Sequence, residues 1–319
     1  MTTKLGQYLV AALVILTLNF LLPRLMPGSP LRFLVGEEVD LLPPEGVRAL
    51  MAQYGLDRPL WEQFLKYLGQ LIRGDLGHSY REGKPVAKVL GERLPWTLLL
   101  TGTALVASTA LGLVLGAWAA WRHGCPFEVM TLSFFVLLAA LPSFFVGMLL
   151  IAFFGVRLRW FPILGAQTSW GNFTGWAYAL DVLRHLALPT ITLILSTTPG
   201  VFLVARAAML GVLGEDYIRT ARSKGLRESR VLFVHALRNG LIPVATMFMI
   251  QLGLVASGAT VVETVFGYPG LGRLLYEAVS RRDYPLMQGG FLLITAGVLL
   301  ANLGADVLYC LLDPRVRRV

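Results

Sequence analysis

The chain alternates long uncharged stretches with short charged ones. No charged residue lies between Arg93 and Arg122, nor between Glu128 and Arg157. Further uncharged runs separate His185 from Arg206, Arg238 from Glu263, and Asp283 from Asp306. Each is about twenty residues or longer, enough for a helix to cross a hydrocarbon layer of about 30 Å. Leu5 to Pro23 adds a run near the N-terminus, so the pattern predicts six membrane spans. A water-soluble core could absorb one or two such helices. Six call for a bilayer, where the backbone of each span must satisfy its own polar groups. The expected fold is an all-α integral membrane protein.

Polar and apolar positions divide the chain further. "MPGSP" ends the first run with two prolines and a glycine, residues that break helices. The one sizeable polar segment follows, and within it "PPEGVRALMAQYGL" and "PLWEQFLKYLGQLIRG" carry apolar residues at helical spacing. Leu60, Phe64, Tyr67, Leu68 and Leu71 share one face there. The expected division is an N-terminal transmembrane helix (1–27), an extracytoplasmic helical segment (28–94), a five-helix core (95–312) and a cytoplasmic tail (313–319). The polar segment is too short for a catalytic domain. The first span has a thin basic end, Lys4 alone, and no small-x-small cleavage site, so it reads as a retained anchor.

Charge then orients the spans. The chain has 319 residues, 55% of them hydrophobic, and a net charge of +9. With the N-terminus inside, the inner segments hold Lys4, Arg122, Arg206, the six cations of 215–243, Arg315, Arg317 and Arg318. The short outer loops hold Arg157, Arg159, Arg184, Arg273, Arg281 and Arg282. This bias places both termini in the cytoplasm, N-in and C-in. The basicity is therefore a topology signal rather than a nucleic-acid footprint. Trp160, Trp170, Trp176 and Trp96 suit an aromatic belt at the outer interface, and Trp118 and Trp121 an inner one. Cys125 and Cys310 fall at inner ends and outline no disulfide framework.

Candidate chemistry is sparse. There is no G-x-x-x-x-G-K-[ST] to cradle a nucleotide phosphate, and no H-E-x-x-H, C-x-x-C or G-x-S-x-G. His78, His123, His185 and His235 are scattered along the chain. No catalytic residue and no metal site is expected. Intramembrane charge, the mark of an ion relay, is confined to Asp306 and Arg206, with Glu263 at the outer boundary. A self-contained ion-coupled carrier would need more polar chemistry at the midplane. On the fifth span Gly253, Ser257, Gly258 and Thr260 form a small-and-polar set, which suits a translocation path or close helix packing. The chain reads as a conduit without an engine.

One stretch stands apart: "EDYIRTARSKGLRESRVLFVHALRNGLIP", Glu215 to Pro243, with six Lys or Arg residues. Glu215 and Asp216 favour a helix start through the dipole of its first turn. Gly225 can take the positive φ that ends such a helix, and Glu228 begins another. Ile218, Ala221, Val231 and Val234 are available for packing, which leaves the cations outward. This is a helix–turn–helix built to dock, within a loop at 209–239.

That stretch resembles the EAA loop of binding-protein-dependent ABC importer permeases. Against the consensus EAA-x3-G-x9-I-x-LP, Ala221 and Gly225 are kept. Arg219 stands for Glu, Thr220 for the first Ala, and His235 and Arg238 for Ile and Pro. "YIRTARSKGL" and "HALRNGLIP" are similar to the version in the dipeptide, oligopeptide and nickel permease subfamily, B-type subunit. "LNFLLPRLMPGSP", "LPSFFVGMLL", "ETVFGYPGLGRLLYEAVSRRDYPLMQG" and "LLDPRVR" resemble that subfamily in the same order. The resemblance implies a type I ABC importer permease fold in a bacterial or archaeal cytoplasmic membrane. It implies a homologous second permease, two cytoplasmic ATPase subunits that bind ATP and Mg, and an extracytoplasmic solute-binding protein, with no cofactor in this chain. Arg219, Thr220, Ala221, Arg222, Ser223, Lys224, Gly225, Leu226, Arg227 and Glu228 would couple to the ATPase. The expected cargo is di- or oligopeptides, with nickel or a metal chelate as the alternative.

Overall fold

The computed structural model describes residues 2–25, 43–54, 57–255 and 257–312, and of these the side chains of 2–5, 7–9, 11, 22, 23 and 305–312 lie outside the description. The tail 313–319, the start of the 28–94 segment and the side chains of Asp306 and Cys310 lie outside the described residues. The described chain is helical. α1 is Thr2–Leu25, α2 Pro44–Tyr54, α3 Leu60–Ile72, α4 Val86–Trp121, α5 Pro126–Ala139 and α6 Ser143–Arg157. α7 is Gly175–Leu213, α8 Asp216–Ser223, α9 Glu228–Val255, α10 Thr260–Val265, α11 Leu271–Ser280 and α12 Tyr284–Leu312.

Among the described residues four helices, α4, α7, α9 and α12, are long and apolar enough to cross a membrane, and five spans result if α5 and α6 count as one. The expected third span is broken. α5 and α6 meet at 99°, because Pro142 takes an extended conformation at φ −61° and ψ 140° and disfavours helix in the residue before it. α1 adds a shorter apolar stretch, Ala12–Leu21. Large apolar side chains face outward along these helices, among them Val114 on α4, Met130 and Leu137 on α5 and Ile250 on α9. Such surfaces suit lipid and not water.

α4 and α7 form the central pair. A Cβ at Gly112 would lie 2.6 Å from Val201 Cβ, and one at Gly116 would lie 2.7 Å from the Phe202 carbonyl oxygen. Gly112 and Gly116 thus let two backbones approach, as small-xxx-small spacing does in membrane helices. Gly112 meets Val201, Gly116 meets Ala205, and Ala120 shares a cluster with Met209. Both numbers rise together, so α4 and α7 run parallel. The intervening α5–α6 pair and its loop must return the chain across the full length of α4.

α9 runs the opposite way. Val231 and Ala236 pack beside Met209 and Ala120, while the carbonyl of Val255 accepts a bond from Thr101 Oγ1 near the start of α4. α12 begins at that same end, with Leu286 and Met287 clustered on Val86, Val89 and Leu90. There α1 joins it, since Asn19 Nδ2 donates to the Gln288 carbonyl at 2.9 Å. α3 leans on α1 through Phe20, Phe64 and Tyr67. Leu60, expected on that packed face, is more than half exposed at the helix start. α4 already begins at Val86, so the 28–94 segment and the core share one helix rather than meeting at a boundary.

Candidate functional site

The basic stretch forms two helices around a tight turn. α8 is short, and on it Ile218 and Ala221, three residues apart, are buried against Ala117, Ala120 and Met209. The same spacing leaves Arg219, Thr220, Arg222, Ser223 and Lys224 outward. Gly225 follows at φ +70°, a conformation that glycine reaches without strain. Its position is open, with nothing within 4 Å of an added Cβ. Arg222 Nε reaches Glu228 Oε1 at 3.2 Å across the turn, and Asn239 Nδ2 donates to Tyr217 Oη at 2.7 Å. Leu226 is half-buried in the same cluster, and Arg227, Glu228 and Arg230 are exposed.

Two expectations change here. Val234 was expected in the packed face but is 55% exposed. The reason is local: Val231–Ala236 is wound as a π-helix, which turns side chains by less per residue than an α-helix. Ala221 is a packing residue turned toward α4 and α7 rather than part of an outward surface.

A second cluster braces this loop. Glu128, in the first turn of α5, accepts from Arg206 of α7 and from the Gly124 amide at 2.7 Å. His123 Nδ1 lies 2.9 Å from the same carboxylate. Arg206, expected with Asp306 as an intramembrane charge, is paired. The pair ties the α4–α5 turn to α7 one helical turn before Met209, and the Arg222 guanidinium lies 5.7 Å from the ring of Trp121 at the end of α4. Sequence reasoning missed the pair because Glu128 and Arg206 are distant in the chain, and only the α4–α7 crossing brings them together.

At the opposite end sits a buried carboxylate. Glu263 on α10, placed by its sequence at a boundary, is fully buried. Thr97 Oγ1 donates to its Oε1 at 3.0 Å, and the Arg273 amide donates to its Oε2 at 2.8 Å. Thr97 Oγ1 in turn accepts from the Leu271 amide at 2.6 Å. Burial raises the Glu263 carboxyl above the usual carboxylate range, and the bonds from Thr97 and the Arg273 amide offset only part of that rise. An added Cβ on Gly270 would sit 2.2 Å from its Cδ, so the "YPGLG" loop wraps the carboxylate in bare backbone. Trp96, expected in an interfacial belt, packs edge-on against buried Tyr268 at 6.2 Å.

The small-and-polar set on the fifth span lies near this cradle. A Cβ on Gly253 would meet Ala301 Cβ of α12 at 2.9 Å. Gly258, at φ +74°, would meet Glu263 and Gly272 at 2.8 Å, and Thr260 Oγ1 lies against Gly272. Ser257 Oγ donates to the Leu254 carbonyl. Gly253 and Gly258 thus sit where a side chain would meet neighbouring atoms.

The fold is thus a bundle of long apolar helices with a basic helix–turn–helix at one end and a glycine-wrapped, buried carboxylate at the other. The chain belongs to the family described as binding-protein-dependent transport system inner membrane components, which it matches over residues 112–318. It is 40% identical to the di/tripeptide transport system permease protein DppB of Pseudomonas aeruginosa (strain UCBPP-PA14), over 98% of this chain and 97% of that one. It is 37% identical to the dipeptide permease DppB of Escherichia coli (strain K12), over 98% and 97%. With the glutathione transport system permease protein GsiC of the same strain it shares 40% identity, over 95% and 94%. The chain is thus a multi-pass ABC transporter permease and not an enzyme.

Proposed function

We propose that this chain is the permease subunit of an ATP-driven importer of short peptides in a bacterial cytoplasmic membrane. Three similar permeases, named for di/tripeptides, dipeptides and glutathione, support a peptide cargo over nickel. The chain forms half of the path beside a homologous second permease. A solute-binding protein delivers the cargo outside, and two ATPases holding ATP and Mg act inside. Six spans with both termini inside agree with the order of helix directions, in which α4 and α7 run one way and α9 the other.

The observation that carries the coupling role is the orientation of α8. Its apolar side is packed onto α4 and α7, and its cations, with Thr220 and Ser223, face away from the bundle. A partner pressing on residues 219–228 would push directly on two long helices. Reconstitution of the four-subunit complex with its binding protein tests this reading. A peptide-loaded binding protein should stimulate ATP hydrolysis severalfold and drive peptide into vesicles. Nickel uptake without peptide uptake would refute the cargo, and peptide uptake by this chain alone would refute the ATP-driven class.

A further inference from the structure

A cleft lies between the start of α4, the loop after α6 and the loop between α10 and α11. One part has a volume of about 430 Å³ and is bounded by Glu92, Arg93, Trp96, Gln167 and the backbone of Gly165 and Gly267. A second part, of about 190 Å³, shares Arg93, Gly267 and Pro269 and continues to Arg273 and Glu277. The cleft is at the end opposite α8, directly over the loop that wraps Glu263. Under the import reading, this is the end at which solute arrives.

The charges around it are satisfied, with one exception. Glu92 pairs with Lys84 at 3.7 Å, Arg273 with Glu277 at 2.9 Å, and Glu277 also with Arg281 at 3.7 Å. Arg93 is half-buried and makes no hydrogen bond or ion pair among the described residues. A partly desolvated cation without a partner is unfavourable, and a guanidinium offers a planar fork matched to a carboxylate. Trp96 supplies an aromatic wall, and Gly165 and Gly267, at φ +86° and +57°, present backbone rather than side chains. The opening can therefore admit a chain of variable side chains while holding one anionic group.

We propose that Arg93 is a docking point for the C-terminal carboxylate of the peptide as it leaves the binding protein. The proposal rests on the peptide-import reading and extends it to a site in the permease itself. A free carboxylate is the one anion that peptides of any sequence share, so recognising it costs no breadth of cargo.

Uptake of a tripeptide and of its C-terminal amide tests the assignment, in the reconstituted complex with the binding protein saturated by each. Arg93→Gln should lower uptake of the free acid about tenfold, as loss of a charge-assisted pair does, and leave the amide within about twofold. Arg93→Lys, which keeps the charge and loses the fork, should fall between for the acid. Half-maximal binding-protein concentration for ATPase stimulation should not change, and thermal unfolding of the purified variants should match wild type. Equal losses for acid and amide would overturn the proposal. A raised binding-protein requirement with both peptides would also overturn it, by showing that Arg93 contacts the binding protein. If the wild-type complex imports neither peptide, the import reading itself fails.

Discussion

Gly270 has no room for a side chain. Its backbone is ordinary, at φ −88°, so the constraint is contact and not conformation. An added methyl would fall 2.2 Å from Glu263 Cδ, and the carboxylate is held by Thr97 and Arg273 and cannot retreat. Gly91, in the first turns of α4, meets nothing within 4 Å. Gly270→Ala should therefore lower stability by about 1–3 kcal/mol, the cost of overpacking. Gly91→Ala should hold or raise it, since alanine is the better helix former by about 1 kcal/mol. Thermal unfolding of the two purified variants in one detergent checks this. Equal melting temperatures would mean that the loop yields freely around Glu263.

At the scale of elements, the helix–turn–helix of α8 and α9 depends on one dihedral angle. Gly225 is exposed and unhindered, so a larger side chain there would meet no atom but would have to hold φ +70°. For valine that costs roughly 1–3 kcal/mol, whereas asparagine visits the region readily. Gly225→Val should leave the spans inserted but abolish stimulation of ATP hydrolysis by the loaded binding protein, because α8 and α9 no longer meet at the same angle. Gly225→Asn should retain most of it. Full stimulation with valine would show that the loop does not couple. The helix–turn–helix itself was legible in the sequence, from an acidic first turn, a glycine and a second acidic start. Its inward face was only half legible. Ile218 and Ala221 follow α-helical spacing on α8, while the π-wound stretch that starts at Val231 keeps Val231 in and turns Val234 out.

At the scale of the whole molecule, the parallel α4–α7 pair demands that the segment between them cross back. This predicts which ends can be labelled from outside. Gln167, in the loop after α6, and Ser223, on α8, are both exposed and belong to opposite ends. In intact cells, a membrane-impermeant thiol reagent should modify Gln167→Cys and miss Ser223→Cys until the membrane is opened, in a background lacking Cys125 and Cys310. Labelling at 223 in closed cells would invert the orientation and remove the coupling role. Ser79 is unsuited as a probe, since it is buried and bonded to Asp283.

Hydropathy alone determined that this protein lives in a membrane as helices, because an uncharged run of about twenty residues has few other stable solutions. The basic stretch and its glycine were equally local, since caps, charge and turn chemistry act over a few residues. A further local signal, glycines four apart at Gly112 and Gly116, is present in the chain and marks the close crossing of α4 and α7. Tertiary structure decided the rest. It broke the third span at Pro142, moved Glu263 from a supposed boundary into a sealed cradle, and joined Glu128 to Arg206. It also left Arg93 facing a cleft while the neighbouring charges found partners. A charge in a sequence has no partner until distant helices meet, and burial and pairing are properties of that meeting rather than of the residue.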